Sequence, residues 1–116
     1  MNPASLSRVV TLVLVVVLGA CGGSSVTSST TVPSDPELAR GRQIYVDRCQ
    51  VCHGSRGTGG IGPALGNGKV VEKYPDPADQ IAVVANGRNT MPGWSKQLTA
   101  DDIAAVVRYE REALGR

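Results

Sequence analysis

Apolar and small residues at Leu38, Gly41, Tyr45, Cys49 and Cys52 follow one another at spacings of three, four, four and three. That rhythm is the stripe of one helix face. Asp35-Pro36, or Ser34-x-x-Glu37, supplies the start, since proline is tolerated in a first helical turn. Asp76-Pro77 predicts a second helix through Ile81, Val84 and Ala85, stopped by Gly87. Thr99-x-x-Asp102 has the form of a capping box, with Asp in place of the usual Glu. The helix it opens runs to about Leu114, with Ile103, Val106, Val107, Tyr109 and Ala113 facing inward. Between the first two helices lies "GSRGTGGIGPALGNGK", with seven glycines from Gly54 to Gly68. This reads as an irregular loop turning tightly around something. No run alternates over a useful length, so the predicted fold class is all-α.

The N-terminal pattern is different. Val9 to Leu18 is an apolar run of ten residues, about 15 Å of helix against a hydrocarbon layer of about 30 Å. It is too short to span a membrane and matches the apolar region of a secretory signal, with Arg8 ahead of it and small residues behind. Gly22 to Ser34, "GGSSVTSSTTVPS", lacks periodicity and bulk and reads as a flexible linker. The expected division is a cleaved signal at 1–20, a linker at 21–34 and a folded domain at 35–116.

Composition narrows the function. In 116 residues there is room for one small domain, and a formal charge of +2 without a basic run gives no case for nucleic acid. The chain has no Phe, one Trp and three Tyr, so a large flat cofactor would supply core bulk that aromatic side chains do not. Its three cysteines fall in unlike settings, Cys21 beside the signal and Cys49 with Cys52 in the domain.

The five residues Cys49-Gln50-Val51-Cys52-His53 carry the chemistry. Structural zinc needs about four Cys, His or carboxylate ligands, and the chain holds no second histidine. A thiol–disulfide centre places Cys-x-x-Cys at a helix start after a strand. Here the pair ends a predicted helix and no strand precedes it. Cys-x-x-Cys-His is also the attachment signal for c-type haem. Cysteines at i and i+3 lie one turn apart on one helix face, and the next residue offers an imidazole to the iron. With His53 the one histidine and Met1 lost with the signal, Met91 is the remaining thioether for the far side of the iron. A methionine packed beneath the loop, or a Cys, Lys or water ligand, are the other readings.

With these motifs in place, residues 35–116 resemble a small class I cytochrome c of bacterial type. The resemblance implies a small cytochrome c fold around one haem c, attached through Cys49 and Cys52, with His53 and Met91 as axial iron ligands. Gly41 and Tyr45 match the family's N-terminal helix where the C-terminal helix, carrying Tyr109, crosses closely. Gly62-Pro63-x-Leu65 resembles the loop whose proline carbonyl accepts from the histidine, with Leu65 against the porphyrin. Asn86-Gly87-x-x-x-Met91-Pro92-x-Trp94 resembles the methionine-ligand loop, with Trp94 near the haem edge. Arg56, Lys69, Tyr74, Arg88 and Trp94 are the candidate propionate donors. Leu18-Gly19-Ala20-Cys21 resembles the bacterial lipobox, which makes Cys21 a lipid-attachment residue.

The function expected from this is a one-electron carrier rather than an enzyme. It would be exported, tethered by lipid on the extracytoplasmic side, and would meet redox donors and acceptors through a transient interface at the haem edge. No nucleic acid or small-molecule substrate is expected. A haem sensor, a catalytic haem domain, a haem subunit of a larger oxidoreductase and a Cys-x-x-Cys redox protein are the competing classes.

Overall fold

The computed structural model describes residues 35–116; the expected signal, Cys21 and the linker lie outside them. Asp35 caps the first helix, α1 (Pro36–Ile44), its Oδ1 accepting from the backbone N–H of Glu37 at 2.9 Å and of Leu38 at 3.2 Å. Proline occupies the first helical position, where its missing N–H costs nothing. The chain then passes through a π-helical turn, Tyr45–Cys49, before α2 (Gln50–His53). The Gln50 N–H reaches back to the Tyr45 carbonyl across this turn. The widened turn was not foreseen, because a spacing of four residues looks alike in an α-helix and beside a single π turn. Such turns are rare and concentrate at functional sites.

One helix absent from the sequence reading, α3 (Lys69–Lys73), follows the glycine-rich loop. Five residues are too few to show a 3.6-residue period. α4 (Pro77–Asn86) is capped by Asp76, which accepts from the Ala78 N–H at 2.8 Å, and ends at Gly87. α5 (Ala100–Glu112) opens with the expected capping box. Thr99 Oγ1 accepts from the Asp102 N–H at 3.1 Å, and Asp102 Oδ2 accepts from the Thr99 N–H at 3.3 Å. Among the described residues there is no strand; one isolated antiparallel bridge joins Arg88 and Met91.

α1 and α5 cross face to face, and Gly41 lies at the crossing. A Cβ there would strike the Ala105 carbonyl, 2.7 Å from its carbon, and lie 2.8 Å from Tyr109 Cβ. Only a hydrogen at that position lets the two backbones meet. Beside it the Tyr45 and Tyr109 rings lie 5.7 Å apart at 53°, a tilted aromatic pair. Ile44, Val84, Ile103, Val106, Val107 and Leu114 complete the core. At the solvent side Arg108 bridges the same helices, donating to Asp35 at 2.8 Å, to Glu112 at 3.1 Å and to Glu37. Arg40 pairs with Asp102 at 2.8 Å. These exposed pairs fix register more than they add stability.

Candidate functional site

The helices do not close on one another everywhere. They leave a cavity of about 590 Å³, in the size range of cofactor sites. Its walls come from segments throughout residues 48–110. The π turn brings Cys49 and α2 brings Cys52 and His53; the glycine-rich loop brings Pro63 and Leu65. α4 brings Val83 and Val84; the following loop brings Met91 and Trp94. Residues far apart in sequence therefore meet at one hollow.

His53 is buried, at 6 % exposure. Its Nδ1 lies 2.8 Å from the Pro63 carbonyl oxygen. A carbonyl only accepts, so Nδ1 carries the hydrogen and Nε2 keeps its lone pair for a metal. The loop is fastened to the end of α2 by backbone bonds. The Gly59 N–H donates to the His53 carbonyl and the Gly62 N–H to the Cys52 carbonyl, both at 2.8 Å. Gly62 then passes against the ring itself: a Cβ there would fall 2.7 Å from Cε1 and 2.9 Å from Nδ1. Gly62→Ala should therefore displace the imidazole and lengthen the bond to Pro63. Proton NMR of the diamagnetic protein should show the His53 Nδ1–H exchanging with solvent at least tenfold faster than in the unsubstituted chain, as expected when about 1.4 kcal/mol of protection is lost. An unchanged exchange rate would mean that the loop yields instead of the ring.

Cys49 is 9 % exposed, Cys52 is half-buried, and both thiols are free. Burial pushes the Cys49 thiol up to about 12, with added repulsion from Glu110 and Cys52. A thiol so reluctant to ionise is a poor nucleophile for disulfide exchange. Among the described residues no three His, Cys, Asp or Glu side chains converge as a metal site. Two thiols one turn apart, an imidazole with a free Nε2, a thioether and an apolar hollow instead suit a haem fixed by two thioether bonds.

Met91 is held by a tight turn. The Arg88 N–H donates to the Met91 carbonyl at 3.1 Å and the Met91 N–H to the Arg88 carbonyl at 3.0 Å, with Asn89 in the left-handed region at φ 54°. The Trp94 and Ser95 N–H groups donate to the Val84 and Ala85 carbonyls at 3.0 and 3.1 Å, anchoring this loop on α4. Of the candidate propionate donors, Tyr74, Arg88 and Trp94 line the cavity, and Arg88 donates to the Tyr74 hydroxyl at 3.0 Å. Arg56 and Lys69 do not line it; Lys69 pairs with Glu72 at 3.1 Å. Arg48 and Lys73, not singled out from the sequence, do line it.

Two further residues escaped the sequence reading. Gln80 and Glu110 are buried polar side chains on the cavity wall, 2 % and 5 % exposed. Gln80 Nε2 donates to Glu110 Oε2 at 2.7 Å. Burial pushes the Glu110 carboxyl up to about 8, and the Gln80 bond draws it only part of the way back. The signal was in the spacing: Glu110 follows Ile103, Val106 and Val107 on one stripe, and Gln80 stands four residues before Val84.

Residues 36–109 match the protein family described as "Cytochrome C oxidase, cbb3-type, subunit III". The chain belongs to the c-type cytochromes. As a member of that family it binds covalently attached haem c with its iron. Cytochrome c55X of Stutzerimonas stutzeri is 46 % identical over 66 residues, which cover 55 % of this chain and 57 % of that protein. The chain thus spans little more than half of that relative. Cytochrome c55X of Paracoccus denitrificans is 32 % identical over 71 % of this chain and 82 % of its own length. Among solved structures, the c-type cytochrome NirC superposes with a TM-score of 0.56 at 34 % identity, covering 69 % of this chain and 94 % of that one. The cytochrome family's helical fold is the one seen here, and its members are electron-transfer proteins, some of them subunits of oxidoreductases. No helix among the described residues is long and apolar enough to cross a membrane.

Proposed function

We propose that this cytochrome is a one-electron carrier whose iron is held between His53 and Met91. One observation carries the reading: the chain's one histidine and the methionine of the 87–94 loop reach the walls of a single cavity that also receives Cys49 and Cys52. Cys49 and Cys52 are the thioether attachment points, one turn apart on the π turn and α2. The haem supplies the one-electron change of the iron, and the protein supplies burial and orientation. Pro63 fixes the tautomer and tilt of His53, so that Nε2 rather than Nδ1 is presented. The Arg88–Met91 turn and the two bonds onto α4 present the Met91 sulfur. Leu65, Val84 and Trp94 exclude water from the faces between them.

Held by both protein ligands, the iron would have no open coordination position, and the site would exchange electrons without binding oxygen or peroxide. A thioether ligand also favours the ferrous state relative to two imidazoles. Redox partners meet the cavity mouth through a small transient contact. They are donors and acceptors of the oxidase and dehydrogenase kind, such as the systems that contain related cytochrome subunits in Rhizobium leguminosarum and Gluconacetobacter polyoxogenes. The sequence around Cys21 supports export and lipid attachment, which would hold residues 35–116 near the extracytoplasmic membrane surface.

The intact oxidised protein is expected to give a low-spin ferric spectrum, to accept one electron per chain from a soluble donor and not to turn over peroxide. A high-spin ferric spectrum with peroxide turnover would replace the carrier by a catalytic haem domain.

A further inference from the structure

The cavity wall contains one carboxylic acid that the carrier function does not use. Glu110 lies on the inner face of α5, buried among apolar neighbours, and lines the hollow. Its recorded hydrogen bond comes from a neutral amide, the Gln80 Nε2 at 2.7 Å. Gln80 cannot turn round, because its Oε1 accepts from Arg111 Nη1 at 3.1 Å. Arg111 in turn donates to the Tyr74 and Pro75 carbonyls at 2.8 and 3.0 Å. Arg111 is therefore committed to Gln80 and to backbone, and is linked to Glu110 through the amide. A carboxylate with one neutral donor in an apolar hollow is costly, and the neutral acid costs less.

Resting on the haem reading of the same cavity, we propose that Glu110 is the proton site of a carrier that moves one proton with each electron. Glu110 binds a proton from water when the chain accepts an electron at the iron. It returns that proton to water when the electron passes to the acceptor. The balance is one electron and one proton in, one electron and one proton out, with the donor and acceptor as the one-electron reductant and oxidant. The physical cause is charge. Glu110 faces an extra positive charge when the iron is ferric, which favours the carboxylate, and loses it when the iron is ferrous, which favours the acid.

The groups around Glu110 leave this role to it. From the π turn, Tyr45 and Cys49 interact with it. Burial, with Glu110 second, drives the Tyr45 hydroxyl up and out of the usual tyrosine range, and the Cys49 sulfur has no proton once it is a thioether. On α5 itself Tyr109 is turned to the Tyr45 ring. Arg48, Lys73 and Arg88 are exposed and add positive charge at the cavity rim, with Tyr74 held by Arg88. α1 sends Glu37 and Arg40 to Arg108 and Asp102, away from Glu110. The raised Glu110 carboxyl, at about 8, agrees with an acid poised to change state near neutrality. The haem propionates remain as the other acids, and substitution separates them from Glu110.

The test is the midpoint potential of the haem-loaded protein measured from pH 5 to pH 9. The potential should fall with rising pH by up to about 59 mV per unit, the value for one proton per electron, over a window that is absent in Glu110→Gln. The reduced-minus-oxidised infrared spectrum of the unsubstituted protein should show a protonated carboxyl band gained on reduction, shifted in deuterium oxide and missing in Glu110→Gln. The same slope in Glu110→Gln, with its visible spectrum unchanged, would assign the proton to a propionate and overturn the proposal while the haem reading stands. The absence of a carboxyl band in the unsubstituted protein would overturn it as well. Failure of the chain to hold haem at all would remove the proposal together with the reading beneath it.

Discussion

Met91→Ala is expected to leave the protein coloured, covalently loaded and folded, and to change its iron from six- to five-coordinate or water-bound. Under the proposed ligation the thioether bonds at Cys49 and Cys52 and the His53 ligand would not depend on the Met91 side chain. What is lost is the soft sulfur that favours the ferrous state. Axial ligands set haem potentials over a range of about 0.8 V, so the midpoint should drop by on the order of 0.1 V or more. The sulfur-to-iron charge-transfer band of the oxidised protein should vanish and a high-spin spectrum should replace it. Little stability should be lost, since Met91 is only partly buried. Retention of the band would show that another group ligates the iron and would reject the role given to Met91.

Gly41→Ala is expected to destabilise the domain strongly. The added carbon meets the Ala105 carbonyl and stands 2.8 Å from Tyr109 Cβ. Neither obstacle is the far end of a flexible side chain, so α1 and α5 must separate. Replacing a mid-helix glycine by alanine gains up to about 1 kcal/mol of helix propensity. Overpacking of this kind costs about 1–3 kcal/mol and occasionally more, and a clash with backbone belongs at the upper end. The net loss should be about 2 kcal/mol or more, a large share of the 5–15 kcal/mol typical of a whole domain. Denaturant unfolding of the haem-loaded protein measures it. An unchanged midpoint would mean that the crossing is not the constraint that holds the two terminal helices.

The helices that frame the site were legible because their signals are local. Asp35-Pro36, Asp76-Pro77 and Thr99-x-x-Asp102 place capping oxygens directly ahead of helical runs, and each caps the helix it was expected to cap. Gly41 could be singled out because a glycine in mid-helix is expensive unless something approaches it. The Cys49–His53 motif was legible for a chemical reason: three soft or nitrogen donors in five residues suit few ligands. Other features depend on distant parts of the chain. α3 is too short for a period and stands on the packing of Val70. The π turn at Tyr45–Cys49 leaves the spacing of its neighbours unaltered. Arg56 carries the same charge as Arg48, but Arg48 lies on the π turn that walls the hollow, and the path of the glycine-rich loop takes Arg56 away from it. Glu110 and Gln80 were overlooked because their polarity outweighed their position on an apolar stripe. Their mutual hydrogen bond, which makes burial tolerable, joins residues thirty positions apart.

The most direct measurement is the intact mass and colour of the mature protein after full denaturation and treatment with a thiol-alkylating reagent. The chain is expected to carry the mass of one haem, to stay red through denaturing electrophoresis, and to leave Cys49 and Cys52 unalkylated. A colourless chain of unmodified mass, with both of those thiols alkylated, would contradict the account.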